Sequence, residues 1–250
     1  MIPLSDDNTD RHTTPFVNYI LIAINIIVFI FYQRMGADMG FTMGFSTVPA
    51  EILSGKDIVT SSQELRDVVT GQEYTMPGLQ PSPSPVWITL LTSMFMHGGW
   101  AHLGGNMLYL WIFGDNLEHR LGHLRYLAFY LLTGIIASFT YILSTYLFGH
   151  DPLVPSLGAS GAISGVLGGY ISLFPTRRVT VLIFWFITRV PAIIVLGLWI
   201  VLQIVSGIGA LGEAAAGGVA YSAHIGGFLA GMLLIRMFSP KGRAVLRREA

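Results

Sequence analysis

Six stretches of this chain contain no Asp, Glu, Lys or Arg: Phe16 to Tyr32, Val86 to Phe113, Tyr126 to Phe148, Leu157 to Phe174, Val190 to Gly212 and Ala214 to Ile235. A helix crossing a bilayer needs about 20 predominantly apolar residues, with a range of about 17–25. Each stretch therefore reads as a membrane span, the first and fourth near the short limit. Charged residues make up 11% of the chain, against about a quarter in ordinary soluble domains. A seventh apolar stretch, 179–188, is too short to cross and is bracketed by Arg177, Arg178 and Arg189. It is expected to lie at the membrane interface.

The cationic residues set the expected orientation. They cluster at 120–125, 177–189 and 236–248, whereas the connections at 149–157 and 207–215 hold neither Lys nor Arg. The positive-inside rule places the three clusters, and with them both termini, in the cytoplasm. This predicts a polar cytoplasmic tail over 1–15, one membrane domain over 16–238 and a basic cytoplasmic tail over 239–250. The long first loop, about 33–85, then lies outside. Within it "VPAEILSG" suits a short interfacial helix, and "PGLQPSPSP" favours extended chain. No cysteine is present, which removes disulfide and thiol chemistry. The N-terminus resembles neither a signal nor a transit peptide. No basic stripe remains beyond what topology explains, so nucleic-acid binding is excluded. No internal repeat supports a transporter.

Polar groups at membrane depth are costly and mark interior or functional positions. The second run holds His97, His102 and Asn106, the fourth Ser160 and Ser164, and the sixth His224. His102 and Asn106, four apart, share one helical face, and His97 falls off it. No carboxylate lies inside any run; Asp115 and Glu118 come just after the second. A Ser-His-Asp triad thus lacks its acid, and a Ser-His dyad with imidazole as general base remains. Counted from the outer ends of their runs, Ser160 and His224 differ in depth by roughly 9 Å at about 1.5 Å per residue, which tilt must absorb. Gly161, Gly165 and Gly169 in the fourth run, and Gly227 and Gly231 in the sixth, form small-xxx-small stripes that bring helices close. Unpaired N–H groups at the head of the fourth helix, with His102 and Asn106, suit an oxyanion near Ser160.

The bland readings constrain this picture. Ser164 fits a serine bonded to its own helix, and His97 a structural partner at the outer end of the second span. A metal site has no support from an H-E-x-x-H motif, a paired-aspartate site has no aspartates, and G-x-S-x-G fails because residue 162 is Ala.

"GASG" at 158–161, "HGGWAHLGGN" at 97–106 and "AHIGGFLAG" at 223–231 resemble, in order and spacing, the rhomboid intramembrane serine proteases. The similarity extends from about Phe16 to Phe238, including "NLEHRLG" at 116–122 and "VPAIIVLGLW" at 190–199. The resemblance implies an all-α membrane protein, a six-transmembrane-helix bundle with a long first extracytoplasmic loop. It implies Ser160 as nucleophile, His224 as base, and His102 and Asn106 as oxyanion supports. His97, Gly158, Gly161, Gly227 and Gly231 are expected as structural support. The fifth helix and the following "SGIGALGEAAAGG" would gate substrate entry, and Glu118 would anchor the second and third helices. The expected partners are transmembrane protein substrates and the lipid bilayer, with no metal or organic cofactor, and the expected site is a prokaryotic inner membrane. Two positions depart from the family pattern: Ile88 follows Trp87 where many members carry Arg, and Ser164 stands where some carry a Tyr beneath the histidine. The competing expectation is a catalytically inactive rhomboid-like protein that binds client helices.

Overall fold

A computed structural model describes residues 1–66, 73–210 and 220–240. Strand β1 (Ile2–Asp6) leads to α1 (Phe16–Ile27), which widens into a π-helical turn at Val28–Tyr32. The first loop contains α2 (Met39–Gly44), α3 (Pro49–Ser54) and the antiparallel pair β2 (Gln63–Arg66) and β3 (Glu73–Met76). A short helix α4 (Thr89–Thr92) lies between two 3-10 turns. Then follow α5 (Trp100–Leu121), α6 (His123–Leu147), α7 (Ser160–Leu173), the hairpin β4 (Arg178–Ile183) and β5 (Phe186–Pro191), α8 (Ala192–Ala210) and α9 (Tyr221–Phe238).

Among the described residues, three helices are long and apolar enough to cross a membrane: His123–Leu147, Ala192–Gly209 and Tyr221–Phe238. The apolar helices at Phe16–Tyr32 and Ser160–Leu173 are shorter. The interior is dominated by α7, whose Ala162, Ile163, Val166, Leu167 and Tyr170 are buried. Phe113 and Leu117 of α5, Phe129 and Tyr130 of α6, and Phe228 and Ile235 of α9 share that core.

Several expected boundaries shift. The second run is not one helix, because the chain leaves helical geometry at Met96 and Gly99. Two adjacent glycines, 98 and 99, favour a break there. His97 accordingly sits in the break rather than in a span. Beyond it α5 continues past the apolar run, so Asp115 and Glu118 lie inside the helix and are buried. Each is compensated. Asp115 pairs with Arg11 at 2.8 Å. Glu118 accepts the Val17 and Asn18 N–H groups at 3.0 and 2.7 Å and also pairs with His123. It thus satisfies two orphan donors at the head of α1 while touching the start of α6, so it joins three helices rather than two.

The stretch 179–188 is not helical. It forms the β4–β5 hairpin, and β1 adds to it as a third strand in the order β1-β4-β5. The alternation of buried Val179 and Val181 with more exposed neighbours explains the strand. The N-terminal strand is therefore docked at the same end of the bundle as this hairpin. In the first loop "VPAEILSG" contributes α3, as expected. Trp87 donates its indole N–H to the Ile52 carbonyl at 3.0 Å, tying α3 to the chain ahead of α4. Most of "SGIGALGEAAAGG" (residues 211–218), as well as the tail 241–250, lies outside the described residues.

Candidate active site

Ser160 Oγ and His224 Nε2 stand 2.8 Å apart. The expected depth mismatch shrinks to three residues, about 4.5 Å, because the helices start late. Ser160 is the first residue of α7, and α9 begins only at Tyr221, which puts His224 in its first turn. Both side chains are half-buried. Ser160 is placed by the turn before it. Gly158 adopts φ +121, a conformation that disfavours any side chain, and its N–H donates to the Ser93 carbonyl at 2.8 Å.

The glycine stripes work in two directions. A β-carbon on Gly227 would lie 2.2 Å from the Gly161 carbonyl oxygen, and one on Gly231 would lie 2.0 Å from that of Gly165. Both are impossible contacts, so α9 rests directly on the backbone of α7. The α7 stripe, however, faces α6: Gly161 abuts Ala137, and Gly165 abuts Thr133. The α7 residue whose missing side chain admits α9 is instead Gly168, where a β-carbon would lie 2.0 Å from the Phe228 carbonyl.

His224 is held from the far side by a residue that sequence reasoning missed. Its Nδ1 lies 2.7 Å from Gln203 Oε1 in α8. An oxygen acceptor at Nδ1 selects the tautomer protonated there and leaves Nε2 free to accept from Ser160. Trp199, one helical turn earlier, lies with its ring centroid 6.0 Å from the imidazole. Together they hold the imidazole from α8. The available signal was that Gln203 is the only side-chain amide in the run 190–212. Ser164 itself donates to the Ser160 carbonyl at 2.6 Å, the self-helix bond expected of it.

His102 lines the other flank. A β-carbon on Gly158 would meet His102 Nε2 at 2.8 Å and Ser160 Oγ at 3.7 Å. The space opened by that glycine is thus bordered by both groups. Asn106 is directed elsewhere: its Nδ2 is 2.9 Å from His97 Nε2, and the His97 ring makes an edge contact with His102 at 5.1 Å. His97 is fully buried and pinned through its backbone, which bonds both ends of the Gln33 amide at 2.8 and 2.9 Å. His97 therefore supports Asn106 and His102 from the interhelical break. No cluster of three or more His, Asp or Glu side chains suited to a metal occurs among the described residues.

Residues 84–241 match the family model described as Rhomboid domain. The chain is 35% identical over 147 residues to "Rhomboid protein 1, mitochondrial" of Saccharomyces cerevisiae, covering 58% of this chain and 40% of that protein. It is 37% identical over 145 residues to "RHOMBOID-like protein 4" of Arabidopsis thaliana, covering 58% and 32% respectively. It is 40% identical over 93 residues to "Rhomboid protease GluP" of Bacillus subtilis, covering 37% and 17%. The chain thus spans less than half the length of each of these three. With a mitochondrial relative beside the bacterial one, the expected prokaryotic inner membrane has no support from these similarities.

Proposed function

This chain belongs to the rhomboid family, and on that premise we propose that it is a membrane-embedded serine endopeptidase acting on transmembrane helices near one face of the bilayer. In this reading α1, α5, α6, α7, α8 and α9 all traverse the membrane. Both termini lie on the cytoplasmic side with the β1-β4-β5 sheet, and Ser160 lies toward the opposite face. The observation that carries the proposal is the 2.8 Å approach of Ser160 Oγ to His224 Nε2, between helices that only glycines allow to touch.

The chemistry follows from the geometry. His224 Nε2 takes the hydroxyl proton as Ser160 Oγ attacks a substrate carbonyl, and Gln203 stabilises the resulting imidazolium through Nδ1–H. The carbonyl oxygen gains the negative charge, and the space beside Gly158 receives it. There it meets His102 and the first-turn N–H groups of α7, which have no i−4 carbonyl within the helix. Asn106 acts with them when its amide turns from His97. The imidazolium then protonates the leaving amine, the C–N bond breaks, and an acyl-enzyme remains. Water, deprotonated by His224, hydrolyses that ester and restores the Ser160 hydroxyl. Substrate helices must unwind locally to present a carbonyl, so residues of low helix propensity near the cut favour cleavage.

The test is incubation of the purified chain with a tagged single-span substrate, comparing wild type with Ser160→Ala and His224→Ala. Cleavage by wild type and its loss in both variants is the expected result. Equal processing by all three would remove the dyad assignment.

A further inference from the structure

The hairpin between α7 and α8 ends in four consecutive apolar residues with little protein around them. Phe184, Trp185, Phe186 and Ile187 are 85%, 91%, 76% and 67% exposed. Strand register extends this surface, since Ile2 of β1 pairs with Leu182 of β4, which pairs with Ile187 of β5. Phe184 holds φ +52, a left-handed value that glycine or asparagine adopts at less cost. The chain carries an aromatic residue there despite the strain.

The other end of the sheet carries arginines, beside Asp6 and Asp7 at the end of β1, the latter near enough to Arg189 for the two charges to interact. Arg178 and Arg189 are exposed and make no ion pair among the described residues. Their neighbour Arg177 is already engaged, bonded to Asp10 and Asn116 at 2.5 and 2.7 Å. Buried Val179 and Val181 fix the base of the hairpin against the bundle. β5 runs without a gap into α8, an apolar helix of membrane-spanning length. The hairpin is therefore covalently joined to an apolar helix of membrane-spanning length, with an apolar tip and two exposed arginines toward its base.

A water-facing surface rarely exposes a contiguous apolar patch of more than a few hundred Å². Aromatic side chains favour the headgroup–acyl boundary, and arginine reaches from it to phosphate. We propose that the β4–β5 tip is an additional membrane anchor: Phe184 to Ile187 enter the lipid leaflet at the sheet end of the bundle, while Arg178 and Arg189 hold anionic headgroups. The dimensions agree. Four residues separate Trp185 from Arg189, about 13 Å at about 3.3 Å per residue. A tip about 5–10 Å below the headgroups leaves the guanidinium among them. Deeper entry is opposed because β5 is an edge strand, whose outward backbone groups would lie unpaired in hydrocarbon. The bilayer is the occupant because α8 already brings headgroups within reach and no second protein is required. This inference rests on membrane placement and not on the Ser160–His224 pair.

The chain contains no cysteine, so Trp185→Cys or, as an exposed control, Lys56→Cys attaches one fluorophore to the full-length protein. Each is reconstituted into phosphatidylcholine vesicles with and without phosphatidylglycerol, and iodide is equilibrated across both faces because residues 56 and 185 lie on opposite sides in the proposed topology. In the mixed vesicles, aqueous iodide is expected to quench the label at 185 at least about threefold less than that at 56, and nitroxide-labelled lipid to do the reverse. Replacing Arg178 and Arg189 together by Gln, or omitting phosphatidylglycerol, is expected to raise iodide quenching at 185 by about twofold or more. Equal iodide access at 185 and 56 overturns the anchor. Protection at 185 in native membranes but not in vesicles also overturns it, in favour of a protein partner. Quenching at 185 indifferent to both arginines and phosphatidylglycerol overturns the anionic-lipid assignment.

Discussion

Replacing Gly227 by Ala adds one methyl group where α9 rests on α7. That carbon would begin 2.2 Å from the Gly161 carbonyl oxygen, whereas even a C–H···O contact stands at about 3.3–3.6 Å. The obstacle is main chain, so no rotamer change relieves it, and the helices must separate locally by roughly 1 Å. Gly227 lies three residues after His224 in the same helix, so the 2.8 Å Ser160–His224 approach lengthens beyond about 3.5 Å, out of hydrogen-bond range. A displacement of this size costs on the order of 10²-fold in rate, about 2.7 kcal/mol of barrier. The accompanying loss of stability is about 1–3 kcal/mol, typical of overpacking, which leaves a folded protein to assay. The measurement is cleavage of a tagged single-span substrate, with labelling of Ser160 by a fluorophosphonate and a thermal melt on each sample. Gly104→Ala is the control. It lies on the opposite face of α5 from His102 and Asn106, and its β-carbon would meet nothing within 4 Å. It should keep full activity and melt no lower than wild type, because Ala is the better helix former. A Gly227→Ala enzyme that cleaves within about twofold of wild type would refute the argument that glycine contact sets the dyad distance.

Other perturbations follow from the same geometry. Ser164→Ala removes only a bond to the Ser160 carbonyl and should leave substantial cleavage, at a stability cost of about 1 kcal/mol or less; complete loss would show that the wrong serine was assigned. Gln203→Leu removes the Nδ1 acceptor of His224 and should lower kcat/KM by about 10–100-fold, while Gln203→Glu, which accepts the same N–H, restores most of it; equal defects in both would reduce Gln203 to a packing residue. At the sheet end, burial pushes the Asp6 carboxyl up from 3.8 to about 7, against lowering bonds from Tyr170 and Asn116. The folded state then holds a proton that the unfolded state has released between these values, so this group's stabilising contribution is present below about pH 4 and is lost as pH rises through 7. Melts at pH 5 and pH 8 should therefore converge in Asp6→Asn relative to wild type, and an unchanged difference would refute the linkage.

Much of the arrangement was legible in one dimension because two of its causes are local. Hydrocarbon requires every backbone group to be paired within its own segment, so the absence of charge over many residues identified the apolar helices. The rarity of polar side chains in those runs brought Ser160 and His224 forward, and Ser164 made the local bond expected of a helical serine. Glycine spacing foretold close helix packing, though not which helix each stripe would face. What required the tertiary structure was whatever depends on helix ends and on partners distant in sequence. The late starts of α7 and α9 bring the hydroxyl and imidazole closer in depth, the Gly98–Gly99 break turns His97 into a support for Asn106, and α8 supplies Gln203 to a histidine 21 positions away. Asp115 and Glu118 look like the end of a span when read alone; Arg11, His123 and the head of α1 make them affordable inside a helix. A sequence records what each segment can tolerate, while the distance between two side chains is set by how whole surfaces fit together.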